Sequence, residues 1–305
     1  MTASTKKFNK IVAVDRCGLT PEIVEKINRL SVAPVQIYSD VPSSDDEIIE
    51  RIGDADCVLV SWQTKINQNV LRSAKSLKYV GMCCSLYDEK SANVDIAEAR
   101  NLGITVKGVR DYGDEGSVEF IFAQLIFLLK GMGAHKWRGE STELTNKKIG
   151  IIGFGTLGQL VARTALHFGM EVYYTSRMRR SELETDKLRY LPLEDLLKIC
   201  DVVSTHLPRN TKILSAKEFG LMKKNSILIN TSLGLTFDKQ AFVDWITHDR
   251  TSYAIFDGCG YDESVREFKD IDNVIIFDQS SGFTFEARQR LSQKVLDNMA
   301  SFLAA

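Results

Sequence analysis

The chain has 305 residues, 44% of them hydrophobic and 26% charged, and a formal net charge of −1. That length suffices for two domains, each with its own core, and the balance is that of an ordinary globular protein. The near-neutral charge gives no global attraction for nucleic acid or an anionic membrane surface, so neither is expected as a partner.

In chain order, residues 1–10 are polar and basic and hold no apolar signal core. Residues 10–15 (KIVAVD) read as a strand. Residues 21–30 read as a helix, with Thr20 as N-cap and Pro21 at the first helical position, where its missing N–H costs nothing. Short apolar strands are expected at 35–39, 57–61, 78–83 and 104–108, with helices at 45–52, 67–74 and 94–102 between them. This βαβ rhythm implies a parallel sheet covered on both faces. A long apolar helix spans 117–132. Its oiliest stretch, 120–129, is interrupted by Gln124 and flanked by Glu119 and Lys130, so it is too short to cross a bilayer. Residues 133–147 are polar and irregular apart from Trp137. A second series follows, with strands at 148–152, 171–175, 201–205, 226–231, 253–256 and 274–277. Helices fall at 157–168, 193–199, 216–223 and 239–247, and a last amphipathic helix at 285–303.

The six cysteines, Cys17, Cys57, Cys83, Cys84, Cys200 and Cys259, form no CxxC pair and no Cys/His cluster. Most lie in or beside apolar runs. They read as buried thiols of a cytoplasmic protein with no metal site.

The chemistry starts at Gly153-Phe154-Gly155-Thr156-Leu157-Gly158. It follows the strand KIGII directly and opens the helix LGQLVARTALHF, the context that turns a GxGxxG string into a dinucleotide site. The first glycine permits the tight turn, the second admits the pyrophosphate to the backbone, and the third lets helix and strand pack closely. Phosphates then meet the unpaired N–H groups and dipole of the helix N-terminus. An NAD-selective fold places Asp or Glu about 20 residues beyond the glycines, to bind the ribose 2′-OH. Here that region reads Ser176-Arg177-Met178-Arg179-Arg180. Without the carboxylate there is no repulsion toward a 2′-phosphate, and Arg177 or Arg179 supplies a guanidinium for it. NADP(H) is therefore expected in preference to NAD(H). The plain alternative is a solvated basic loop.

The ordered set Ser117-Val118-Glu119, Trp137 before Glu143-Leu144, the glycine turn, Asp201 to Pro208 (DVVSTHLP), Ile227 to Ser232 (ILINTS), Asn273-Val274-Ile275 and Gly282-Phe283-Thr284 resembles the D-isomer-specific 2-hydroxyacid dehydrogenase family. The resemblance implies an α/β protein of two Rossmann-like doubly wound parallel-sheet domains, with the active-site cleft between them. A substrate domain (flavodoxin-like) would comprise 1–110 plus 285–305, and an NAD(P)-binding Rossmann domain 111–284. It also implies a homodimer with the helix near Glu119 at the interface. The implied cofactor-binding set is Gly153, Gly155, Thr156, Leu157, Gly158, Ser176, Arg177, Arg179, His206, Leu207, Pro208, Thr231, Ser232 and Asp257.

The family's chemistry uses an Arg on the substrate carboxylate, a His that exchanges the proton and a Glu paired with it. Carried over by motif, these positions hold Leu233, Gln279 and Asp262. The loop that holds the substrate carboxylate in the family reads Cys83-Cys84-Ser85-Leu86-Tyr87 here. None of the four histidines, His135, His167, His206 and His248, falls in the catalytic motif. Loss of the acid/base costs about 10²–10⁴ in rate, and loss of the charged clamp a similar factor.

Two functions compete. The first is an NADP(H)-dependent oxidoreductase of this superfamily, acting on a C=O or C=N small-molecule substrate other than an ordinary 2-keto acid. Asp262, Asp278, Tyr261 and Tyr87 are its candidate proton donors or polar contacts, with Gln279 as an orienting amide. For any one of them alone, an exposed loop residue is the plainer reading. Cys259, without a His partner, reads as packing. The second is a catalytically inactive NADP(H)-binding protein acting as a sensor or interaction partner.

Overall fold

The computed structural model describes residues 6–209, 211–258 and 263–305, which divide into two compact units. The first comprises Met1–Tyr112 with Thr284–Ala305, and the second Gly113–Phe283.

In the first unit five parallel strands, β1 (Ile11–Ala13), β2 (Gln36–Ile37), β3 (Cys57–Val60), β4 (Tyr79–Ser85) and β5 (Thr105–Val109), lie in the order β2-β1-β3-β4-β5. Helices α1 (Pro21–Asn28), α2 (Asp45–Ile52), α3 (Gln68–Ser73) and α4 (Ile96–Asn101) connect them. The period of two along each strand divides its side chains between two cores. Ile11, Ala13, Cys57 and Leu59 pack with Ile23 and Ile27 of α1 and with Leu291, Val295 and Met299 of the C-terminal helix. Val12, Val58, Val60, Val80 and Met82 pack on the opposite face with Ile48 and Ile52 of α2. Both faces are buried, which is why these strands read as unbroken apolar runs.

The second unit opens with α5 (Asp114–Lys130). Its seven parallel strands are β6 (Lys148–Ile152), β7 (Glu171–Thr175), β8 (Leu188–Tyr190), β9 (Val202–Thr205), β10 (Ile227–Asn230), β11 (Tyr253–Phe256) and β12 (Val274–Ile276), in the order β12-β11-β10-β9-β6-β7-β8. Helices α6 (Thr156–His167), α7 (Leu193–Ile199), α8 (Ala216–Leu221), α9 (Lys239–His248) and α10 (Glu263–Arg266) join them, and α11 (Phe285–Ala304) returns to the first unit. Ile149, Ile151, Val172, Val202 and Ile229 face α5 and α6. Val203, Leu228 and Phe256 face α7, α8 and α9. Gly150 sits where a Cβ would come 2.3 Å from Leu196 Cδ2, so its missing side chain lets α7 close on the sheet.

The expected α/β architecture is present as two Rossmann-like parallel-sheet units, with local corrections. The strand expected over 35–39 forms only at Gln36–Ile37, because it is an edge strand with both residues exposed and one neighbour to pair with. The long helix begins at Asp114 rather than 117: Asp114 and Glu115 fill its first turn, where the dipole favours carboxylates. The edge strand β8 was not expected. Thr20 occupies the N-cap of α1 without a side-chain capping bond.

Candidate functional site

The strand order of the second unit reverses between β6 and β9. In open α/β sheets the carboxyl ends of the strands at such a reversal leave a crevice for ligands. The glycine turn follows β6, and His206-Leu207-Pro208 follows β9. Gly153 has φ +97°, and a Cβ there would come 2.1 Å from the His206 carbonyl oxygen, so only glycine fits. A Cβ at Gly158 would come 2.2 Å from the Gly153 carbonyl oxygen, which is the close helix–strand packing assigned to the third glycine. A Cβ at Gly155 would meet nothing within 4 Å, and no side chain caps α6. The first-turn N–H groups of α6, from Thr156 to Gly158, are thus left to an external acceptor, and the turn fits a diphosphate.

The β9 side is held by its own polar groups. The Leu207 N–H donates to Ser232 Oγ (3.0 Å), which donates to the Thr205 carbonyl (3.2 Å). Asn230 Oδ1 accepts from Thr205 Oγ1 (3.0 Å) and from the Ser232 N–H (3.1 Å). The His206 N–H donates to the Ile152 carbonyl (2.8 Å), and its Nε2 lies 2.9 Å from Ser204 Oγ. Burial lowers the His206 pKa to about 3, so its imidazole is neutral at physiological pH and has no proton to give as an acid. His206 Nδ1 and Thr231 Oγ1 are buried with no hydrogen-bond partner among the described residues.

The arginine run after β7 splits into three environments. Arg179 Nε and one terminal nitrogen hold both carboxylate oxygens of Glu184 (2.7 and 2.8 Å). Arg180 sits 3.9 Å from Glu182. Arg177 is exposed and makes no hydrogen bond or ion pair among the described residues. Ser176 Oγ donates to the Met178 carbonyl (2.5 Å). Arg179, expected as a cofactor contact, is thus a partner of Glu184, a residue that nothing in the local sequence marks. Tyr174 is equally unmarked: it donates to Glu184 (3.0 Å) and stacks on Phe154 of the glycine turn, with ring centroids 3.9 Å apart.

Around the positions expected to be catalytic, Asp257 follows β11 with its carboxylate buried. One oxygen accepts from the N–H (3.0 Å) and hydroxyl (2.6 Å) of Ser281. Ser281 Oγ lies 3.1 Å from Ser117 Oγ at the start of α5. The Gly258 N–H donates to the Gln279 carbonyl (2.7 Å), and a Cβ on Gly258 would come 2.1 Å from Gln279 C, so the backbone at 279 runs hard against β11. The Gln279 and Asp278 side chains are exposed, and Leu233 is 38% exposed. Asp262, Tyr261 and Cys259 lie outside the described residues. In the first unit Tyr87 is exposed against the Arg110 guanidinium, and Cys83 and Cys84 are buried. No cluster of His, Cys, Asp and Glu among the described residues could hold a metal ion.

The family pattern described as D-isomer specific 2-hydroxyacid dehydrogenase, NAD binding domain, matches residues 122–277, half of the chain. The chain belongs to that family. It is an oxidoreductase of the 2-hydroxyacid dehydrogenase superfamily, and its second unit is the domain for a nicotinamide cofactor. A glyoxylate reductase of Pyrococcus horikoshii is 30% identical over 88% of this chain and 86% of its own length. A hydroxypyruvate reductase of Blautia hydrogenotrophica is 27% identical over 96% of this chain and 97% of its own. Among solved structures, an acyclic imino acid reductase (Bsp5) in complex with NADPH and D-Arg superposes with a TM-score of 0.82 at 27% identity, covering 97% of both chains.

Proposed function

We propose that this family member is an NADP(H)-dependent reductase of a C=N or uncharged C=O substrate rather than of an ordinary 2-keto acid. The observation that carries the cofactor reading is the end of β7, where Ser176 and an unpaired Arg177 stand in place of a carboxylate. They adjoin the glycine turn, since the Gly153 N–H donates to the Thr175 carbonyl (2.9 Å). The NADPH held by the structurally similar imino acid reductase supports the same reading.

The substrate reading rests on Leu233 and Gln279. Leu233 offers no cation to a carboxylate, and Gln279 offers an amide that orients but does not exchange a proton. Bound nicotinamide supplies a hydride to the carbon of the double bond, while the nitrogen or oxygen takes up one proton. An iminium brings that proton already, so it needs the least from the chain. Gly153, Gly155 and the first turn of α6 take the diphosphate, with Leu207, Pro208, Thr231, Ser232 and Asp257 around the nicotinamide end. The second unit pairs with a second copy through α5, where Phe127 is 47% exposed. The five described cysteines are buried free thiols, in keeping with a reducing, cytoplasmic setting.

A non-catalytic NADP(H)-binding role is favoured by one observation, the absence of the family's Arg and His from positions 233 and 279. One experiment separates the two. Titration of NADPH and NADH should give at least roughly tenfold tighter binding of NADPH, from one charge-assisted contact. Turnover is then followed with cyclic and acyclic imines, neutral ketones and 2-keto acids. Reduction of an imine or neutral ketone supports the enzyme, tight NADPH binding with no turnover supports the sensor, and rapid turnover of simple 2-keto acids overturns the substrate reading.

A further inference from the structure

Among three neighbouring arginines, one is locked, one is loosely paired and one is free. Arg179 is held in a two-point pair by Glu184. The same carboxylate takes the Tyr174 hydroxyl, and that hydroxyl in turn accepts the Arg180 N–H (2.8 Å). Tyr174 is fully buried, stacked on Phe154 and edge-on to Tyr190 with centroids 5.5 Å apart. The links therefore run from the glycine turn through Tyr174 and Glu184 to both ends of the segment that carries Arg177. Arg179 and Tyr174 hold the Glu184 carboxyl down at about pH 2, so the pair stays ionised at every physiological pH.

We infer that Tyr174 and Glu184 are positioning residues for 2′-phosphate selection, in that they pin Arg179 and so set the segment from which Arg177 meets the phosphate. The inference rests on the NADP(H) reading above and deepens it. A guanidinium already spanning a carboxylate has given up its two-point face, and binding a phosphate there would break a formed pair. A free guanidinium on a mobile loop would bind weakly, because ordering it would offset the contact. Locking Arg179 so that Arg177 is presented removes that cost.

The test measures dissociation constants of NADPH and NADH for the full chain and four variants. Arg177→Ala should reduce the NADPH preference by about tenfold or more, the value of one charge-assisted contact. Glu184→Ala and Tyr174→Phe should reduce it by roughly threefold to tenfold through lost pre-organisation, with NADH affinity little changed. A purely structural role would weaken both cofactors together, so the ratio is the readout. The exchanged pair R179E/E184R rebuilds the lock with the guanidinium on the other side and should recover most of the preference. The inference is overturned if the wild type prefers NADPH and Glu184→Ala keeps the full preference, or if the exchanged pair loses it as completely as Arg177→Ala does. Equal wild-type affinities would instead overturn the NADP(H) reading itself, and the positioning role with it.

Discussion

Each sheet reverses its strand order once, between β1 and β3 in the first unit and between β6 and β9 in the second, and the two reversals are used in opposite ways. After β1 the chain places Asp15, whose buried carboxylate accepts from the Ser61 N–H (2.9 Å), Ser61 Oγ (2.8 Å), Thr64 Oγ1 (2.5 Å) and Cys17 Sγ (3.4 Å). After β6 it places Gly153, and then Gly155, where a side chain would meet only open space. The topology provides a crevice in both units. The residue that ends the strand decides whether the crevice is filled from within or left for a ligand.

Four changes probe that contrast, from the largest expected effect to the smallest. Gly153→Ala forces a side chain into φ +97° and against the His206 carbonyl. It should cost at least about 3 kcal/mol and lower NADPH affinity by more than roughly a hundredfold in a calorimetric titration. Near-normal binding would show that the open crevice is not the cofactor site. Asp15→Ala leaves the Ser61 and Thr64 donors unpaired in a dry interior. It should destabilise the chain by about 2–4 kcal/mol in urea melts without altering the NADPH dissociation constant. A matching loss of NADPH affinity would erase the distinction between the two reversals.

The third change writes the family's chemistry back. L233R/Q279H restores a carboxylate clamp and an acid/base at positions 233 and 279. Turnover of glyoxylate or hydroxypyruvate should rise about a hundredfold, as judged by NADPH oxidation. Unchanged rates would mean that these positions do not face the reacting carbonyl. The smallest effect concerns pH. Burial depresses the His206 pKa to about 3, against an ordinary value of about 6.5. Between those values the unfolded chain binds the proton and the folded chain does not, so this contribution is complete above about pH 6.5 and is lost as pH falls toward 3. On acidification below about pH 6.5 the wild type should lose stability relative to His206→Gln in urea melts; a gap that stays constant with pH would exclude the imidazole as the cause.

The two sites differ in how far they could be read from the chain alone. The GxGxxG turn is legible because its reasons are local: a strand, a turn that needs positive φ, and a helix start without a side-chain cap. The arginine run was legible as charge but not as function. Arg177 and Arg179 are two residues apart and chemically alike, and Glu184, which gives them different environments, is brought to Arg179 by a turn before an edge strand too short for its pattern to be seen. Motif order gave positions 233 and 279 as an expectation, while the burial of Asp257 and its bond to Ser281 depend on two loops meeting.

By itself the sequence determined the two parallel-sheet units and the glycine turn, because periodicity and turn chemistry are written in neighbouring residues. The tertiary structure alone decided that Asp15 closes one crevice while the glycines leave the other open. It alone decided that Glu184 pairs with Arg179, and that desolvation keeps the His206 imidazole neutral. The first rests on side chains tens of residues apart, the second on a turn that brings Glu184 back onto Arg179, and the third on desolvation, and none of them has a signature in neighbouring residues.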